Sequence, residues 1–275
     1  SIAFILEDGE NSKTGTIVNI EDMQPFTELP GDLEHIERLE EKYPDRACLL
    51  THKAMLQVDL GQAEAGQKTV EQTLAKFPGN PVALGEKSLM VAMQQGVKQG
   101  VPLLHEAIDN AGQMLPASVY HAIAGMAQLL LAEGHVIAAR GHLILQAQLA
   151  GDQDQQPLQM LTRIAQSPSV PMQFREDLPW ENAPAKAAWL AKFEQGLEWV
   201  GQGHWRRGLK AFEELSSIAA DSPAVWKNLA LLRSYLADDT GAVAAWRKLA
   251  SLDIPTDEAI EAEAQAQAIC MQTKD

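Results

Sequence analysis

Apolar and polar positions along the chain follow the period of a helix, and one arrangement of them recurs. Two small residues stand twelve positions apart, framed by apolar residues at the three- and four-residue spacing of a helical face. The small pairs are Ala54/Gly66, Ser88/Gly100, Ala127/Ala139, Gly196/Gly208 and Ala230/Ala242. The first two pairs are 34 residues apart, and so are the last two. Because a helix pair of this length cannot bury its apolar face alone, the pattern predicts an all-α solenoid of stacked antiparallel helix pairs.

The last repeat is the most complete and carries a family resemblance. Its large apolar residues, small residues and final proline come in the order Trp226, Leu229, Ala230, Tyr235, Ala242, Trp246, Leu249 and Pro255. This order resembles the consensus of the tetratricopeptide repeat (TPR) family, and the likeness extends over residues 32–272. The fourth repeat departs from the family by placing Lys192 where the family prefers tryptophan. The resemblance implies a right-handed superhelix of stacked helix pairs.

The repeat spacing predicts how the chain is divided. Ala127 and Gly196 are 69 residues apart, close to two periods, so a degenerate repeat is expected between them. Its first helix is predicted over 155–166, and its second is excluded by the prolines that follow. The predicted parts are an N-terminal extension at 1–31, a first helical block at 32–166, a Pro-rich strap at 167–184, and a second helical block at 185–275 that ends in a cap helix over 257–271.

The N-terminal extension has a different pattern. Two short β-prone runs, 2–6 and 16–20, flank the turn-rich residues 7–15, which predicts a β-hairpin. The chain begins with Ser1, without a methionine or a charged leader, so we expect a processed or truncated end and no signal peptide.

Charge and cysteine content narrow the classes of partner. The 22 Lys and Arg residues against 37 Asp and Glu give a net charge of -15, which disfavours nucleic acid and anionic lipid and favours basic or apolar protein partners. The one basic cluster, 204–207, is expected to be the exposed start of a second helix with Trp205 half-buried.

Cys48 and Cys270 are too few and too distant for a disulfide framework. Such cysteine usage favours a reducing compartment, so the predicted location is cytoplasmic. No apolar run approaches the roughly 20 residues of a membrane span, so we expect no membrane insertion.

Motifs of catalysis and metal binding are incomplete in this sequence. Residues 61–69 nearly spell a phosphate-binding loop, but Gln67 interrupts it and a helix is expected before it. Cys48 and His52 can share a helix face, but zinc needs three or four ligands. No Gly-x-Ser-x-Gly or Ser-x-x-Lys nucleophile motif occurs. We therefore predict no catalytic residues, no metal site, no cofactor and no enzyme activity.

The TPR resemblance also implies a binding surface. In that family the first helices of successive repeats line a concave groove for a peptide or a partner's helix. The corresponding residues here are Met55, Leu89, Met93, Gln128, Leu131, Phe193, Leu197, Lys227, Leu231 and Tyr235. An apolar lining with methionines suits an amphipathic helix or a hydrophobic segment. Tight curvature, or the strap lying in the groove, are alternative ways to cover these residues.

Some TPR proteins hold a C-terminal carboxylate with paired Lys and Asn side chains. Lys227 and Asn228 resemble such a pair, but Phe193 and Leu197 stand where the preceding repeat would supply the rest. The sequence therefore favours a non-enzymatic protein–protein interaction module that does not recognise chaperone tails. The alternatives are a self-associating scaffold, and the helical part of a larger enzyme or metal-binding protein truncated before Ser1.

Overall fold

The computed structural model describes residues 33–112, 115–151 and 154–272. Within these ranges the chain is helical and contains no β-strand. The all-α architecture expected from the repeat pattern is therefore confirmed for the part of the chain that the structure describes. The predicted hairpin at residues 2–20 lies, with the rest of the 1–31 extension, outside the described residues.

Thirteen α-helices and one 3₁₀ turn follow one another in the described ranges. The helices are α1 Leu33–Lys42, α2 Ala47–Asp59, α3 Ala63–Lys76, α4 Pro81–Gln95, α5 Val97–Asn110, α6 Ala117–Ala132, α7 Val136–Ala150, α8 Gln156–Gln166, α9 Leu190–Gly201, α10 Trp205–Ile218, α11 Pro223–Tyr235, α12 Asp239–Ala250 and α13 Thr256–Gln272. The 3₁₀ turn, Met172–Phe174, lies in the strap. We refer to α1–α8 as block 1 and to α9–α13 as block 2.

A turn with one left-handed residue joins the two helices of several pairs. Gly61, Gly134 and Gly203 have φ angles of 77°, 85° and 85°, a backbone region that glycine adopts without steric cost. Each stands five positions before the second small residue of its repeat. Ala237 holds the same place in the last repeat, with a φ of 56°. Four of the five repeats therefore share a turn geometry as well as a sequence period.

The small residues set the distance between paired helices. A Cβ atom on Gly66 would lie 3.1 Å from the carbonyl oxygen of Ala54, and one on Gly100 would lie 2.5 Å from the carbonyl oxygen of Ser88. A side chain at Gly100 would therefore force the helices apart. This close approach explains why small residues recur at these positions of the repeats.

Block 2 packs back onto the second helices of block 1. α10 lies against α5, and α11 lies against α7. The largest apolar cluster consequently runs through both blocks and includes Leu145, Trp205 and Tyr235. The prolines of the strap prevent the helix that would extend the row of pairs, and the following helices pack against α5 and α7 of block 1.

Ion pairs border the contact between the blocks. His204 Nδ1, in the residue before α10, is 3.0 Å from Asp109 Oδ1 of α5, and Lys98 Nζ of α5 is 2.8 Å from Asp239 Oδ2 of α12. His135 Nδ1 is 3.4 Å from the same Asp239 oxygen. Burial raises the pKa of the Asp239 carboxyl, but hydrogen bonds from His135 and Lys98 outweigh burial and lower the pKa overall. The carboxylate is thus held in its charged form at the seam.

Gly141 allows the closest crossing between the blocks. A Cβ atom on this α7 residue would lie 2.5 Å from Cγ of Tyr235 on α11. We expect Gly141→Ala to lower the free energy of unfolding by about 1–3 kcal/mol through overpacking, although alanine favours helices. Gly201→Ala is the matched control, because a Cβ atom there meets nothing within 4 Å. Urea unfolding followed by circular dichroism measures both variants. An equal gain in stability for both would contradict the close crossing.

Candidate partner-binding faces

In block 2 the first-helix face is covered by the chain itself. The strap lies between α7 of block 1 and the helices α11 and α13, and its Phe174 ring is 0% exposed. Gln265 of α13 donates from Nε2 to the carbonyl oxygen of Gln173 at 3.0 Å. Arg140 of α7 donates to the carbonyl oxygen of Arg175 at 2.9 Å and pairs with the carboxylate of Asp177. The strap is therefore tied to both blocks.

The Lys227–Asn228 pair holds the strap at Glu181. The Asn228 side chain is wholly buried, and it recognises both backbone groups of Glu181. Its Oδ1 accepts from the Glu181 N–H at 2.8 Å, and its Nδ2 donates to the Glu181 carbonyl oxygen at 3.0 Å. Lys227 pairs with the Glu181 carboxylate. The two residues that resemble a clamp for a peptide end thus bind an internal residue of this chain.

Beside the strap, a cavity of about 250 Å³ opens between α7, α9, α10 and α11. Trp180 of the strap and Tyr235 form part of its wall, their rings 5.7 Å apart and at 88°. Leu197, one of the predicted groove residues, lines it from α9. Burial raises the pKa of the Tyr235 phenol, so this wall stays uncharged. The cavity is smaller than the roughly 300–1,000 Å³ of common ligand pockets and has room for one apolar side chain.

The structure divides the ten predicted groove residues between two faces. In block 2, Phe193, Leu231 and Tyr235 are buried, whereas Leu197 and Lys227 are half-buried beside the strap. These five therefore contribute to the covered face and to the core beneath it.

The other five residues lie on the first helices of block 1 and are only partly covered by the described chain. Met55 of α2, Leu89 of α4 and Leu131 of α6 are half-buried, and Gln128 is exposed. Met93 of α4 is 66% exposed. We call these five residues, together with Val58 and Glu86, the open face of block 1.

Carboxylates accompany the apolar residues of the open face. Glu86 lies three positions before Leu89 and seven before Met93 on α4, so the three share a helical side. Burial, followed by the charge of Asp59 on α2, raises the pKa of the Glu86 carboxyl. A cation placed there would relieve the repulsion. Glu86 is not among the predicted groove residues, although its helical spacing from Leu89 and Met93 is a signal that places it on the same face.

The basic cluster at 204–207 is engaged within the molecule. His204 lies beside Asp109, and Arg206 Nη1 is 3.4 Å from Glu106 Oε2 of α5. Trp205 is 3% exposed, so the expectation of a half-buried ring was wrong. The ring is buried because it enters the contact between the blocks, which the repeat pattern does not encode.

The residues of the other candidate motifs occupy ordinary places in the repeats. Cys48 is exposed and His52 half-buried on α2, and residues 61–69 span the α2–α3 turn and the start of α3. Among the described residues, no group of three or more His, Cys, Asp or Glu side chains could hold a metal ion. No helix in the described ranges combines the length and apolar character needed to cross a membrane.

Comparison with known proteins gives a distant structural likeness. No family model matches the chain, and no curated protein matches it. Among solved structures, the chain is similar to one described as "Structure of Naa15/Naa10 bound to HypK-THB", with 15% sequence identity and a TM-score of 0.29. The match covers 90% of this chain and 38% of that chain, so this chain spans well under half of the length of the protein it matches.

Proposed function

We propose that the chain is a TPR-like, non-enzymatic protein-interaction module that binds an amphipathic segment of a partner protein on the open face of block 1. The observation that carries the proposal is the exposed apolar surface there. Met93 is 66% exposed and Val58 39% exposed, beside the half-buried Met55 and Leu89. Clustered apolar side chains of this kind mark interaction sites more often than single exposed ones.

The covered face of block 2 supports the proposal by analogy within the chain. Counted from the first small residue of each repeat, Glu86, Leu89 and Met93 stand where Asn228, Leu231 and Tyr235 stand in the last repeat. In block 2, Asn228 hydrogen-bonds the backbone of the strap and Tyr235 contacts Trp180. At the same positions of block 1, Glu86 and Leu89 are half-buried and Met93 is 66% exposed, without a hydrogen bond to the strap, and we propose that a segment of a partner protein binds there.

The difference between Asn228 and Glu86 defines the chemistry of the partner. An amide both donates and accepts hydrogen bonds, whereas a carboxylate only accepts them. A segment bound at Glu86 must therefore supply a donor, and a Lys or Arg side chain also offsets the repulsion from Asp59. We expect a segment with apolar residues toward Leu89 and Met93 and a basic residue toward Glu86.

The test introduces one charge on the open face. We expect Met93→Glu to reduce partner capture by about tenfold or more, because the charge is desolvated in the complex and repelled by Glu86. The measurement is quantitative mass spectrometry of proteins retained from the source cell by equal amounts of wild type and variant. Ile218→Glu on α10 is the matched control, since Ile218 is 62% exposed and lies away from the open face. Equal losses for the two variants, or none for either, would count against the proposal.

A further inference from the structure

Two histidines face each other in the contact between the blocks. His105 of α5 and His142 of α7 are both wholly buried, and their Nε2 atoms are 3.2 Å apart. Trp205 of α10 stacks on the His105 ring with centroids 4.6 Å apart and meets the His142 ring edge-on at 5.2 Å. The two histidines therefore pack against Trp205, the block 2 side chain that contacts both α5 and α7 of block 1.

The hydrogen bonds of the pair leave room for one bridging proton. His142 Nδ1 lies 2.8 Å from the carbonyl oxygen of Ala138, which only accepts, so Nδ1 carries hydrogen. In the neutral ring His142 Nε2 is then an acceptor, and His105 Nε2–H donates to it. His105 Nδ1 is left bare, buried and without a hydrogen-bond partner among the described residues.

A second proton is unfavourable in this arrangement. On His142 Nε2 it requires the His105 hydrogen to move from Nε2 to the unpartnered Nδ1, and it makes His142 a buried cation. On His105 Nδ1 it creates a buried cation with no acceptor, which costs far more than a neutral unpaired group. The closed contact therefore favours two neutral rings.

The surrounding charges do not offset a proton on the pair. Arg206 of α10 acts on His105 with the same sign, and the neutral phenol of Tyr235 on α11 lies beyond Trp205. The nearby carboxylates are engaged elsewhere, Asp109 with His204 and Asp239 with His135 and Lys98. The other packed elements carry the ionisable side chains of Glu86 and Lys87 of α4, Tyr120 and His121 of α6, Arg163 of α8, and Lys227 and Arg233 of α11. Among the described residues, the two rings hydrogen-bond only to each other and to Ala138, and to none of these side chains.

Burial accordingly lowers the pKa of His142 to about 4 and, with the charges of His142 and Arg206, lowers the pKa of His105 well below its ordinary value. Histidines exposed by separation of the blocks would titrate near 6.5. As the pH falls from about 6.5 toward about 4, the open state binds protons that the closed state does not bind. Each histidine then shifts the equilibrium toward the open state by up to about tenfold per pH unit.

We propose that His105 and His142 form a pH-sensitive latch, and that acidification separates block 2 from block 1 along the contact of α5 and α7 with α10 while the helices persist. His135 and His204 lie at the border of the same contact, beside the carboxylates of Asp239 and Asp109, and are not part of the latch.

The test compares wild type with His105→Leu/His142→Leu, whose apolar side chains keep the site filled and cannot be protonated. Small-angle X-ray scattering gives the radius of gyration, and far-ultraviolet circular dichroism gives the helix content, from about pH 7.5 to about pH 4.5. We expect wild type to expand below about pH 6 with its helix content unchanged, and the double variant to stay compact. His121→Gln, which removes an exposed histidine of α6, should expand at the wild-type pH.

Three results would overturn the latch: expansion of wild type and double variant at the same pH, a wild type that stays compact, or loss of helix together with expansion. If the double variant does not fold, nuclear magnetic resonance of the seven histidine rings in wild type decides the matter. The latch requires two rings that take up protons only as the molecule expands. Titration of all seven near their ordinary pKa, without a change in radius, would exclude it.

Discussion

Replacing Phe174 with alanine is expected to lower the free energy of unfolding by about 3–5 kcal/mol, the cost typical of removing a buried aromatic ring. Phe174 belongs to the proline-rich strap, yet its side chain is 0% exposed and lies in the largest apolar cluster. A strap that only linked the blocks would not respond in this way. Urea unfolding followed by circular dichroism measures the change.

Met172→Ala is the control for Phe174→Ala. Met172 begins the same 3₁₀ turn but is 75% exposed, so its truncation should change the free energy of unfolding by less than about 0.5 kcal/mol. Similar small changes for both substitutions would show that the strap does not contribute to the core.

Trp205→Ala is also expected to lower the free energy of unfolding by about 3–5 kcal/mol, because the ring fills the contact between the blocks. It stacks on His105 and lies 5.4 Å from Tyr235, so its removal would enlarge the adjoining cavity of about 250 Å³. We also expect the blocks to associate more loosely in this variant. The substitution should then accelerate hydrogen exchange more in α5, α7 and α10 than in α2 and α3.

Trp226→Ala provides the comparison for Trp205→Ala. Trp226 is half-buried at the start of α11, and its Nε1 donates to the carbonyl oxygen of Ala220 at 2.9 Å. Its loss should cost clearly less and leave exchange in α5 and α7 unchanged. Equal stability losses and equal exchange for the two tryptophan variants would contradict the packing of block 2 on block 1.

The helix pairs could be predicted from the sequence because their contacts are local. Gly66 and Gly100 touch the preceding helix twelve residues away, and that spacing repeats. The return of block 2 could not be predicted in this way. It depends on Gly141 meeting Tyr235 and His105 meeting Trp205, contacts that join distant residues and occur once.

Which first-helix faces are exposed could be predicted only in part for the same reason. Helical spacing placed Leu89, Met93 and Leu197 on first-helix faces, but it carried no information about what lies over each face. Whether a face is open depends on the path of the strap, and that path is fixed by single contacts such as Asn228 with Glu181. A periodic pattern predicts which residues line a surface. Long-range packing determines what covers that surface.

The most direct test of binding on the open face is site-specific photo-crosslinking in the source cell. A photoreactive amino acid is placed at Met93 and, in a second protein, at Ile218, and the crosslinked peptides are identified by mass spectrometry. We expect position 93 to crosslink to one segment of a partner protein that carries apolar residues and a lysine or arginine, and position 218 to give no such product. Crosslinking to the same proteins from both positions, or none from position 93, would contradict the proposed interaction module.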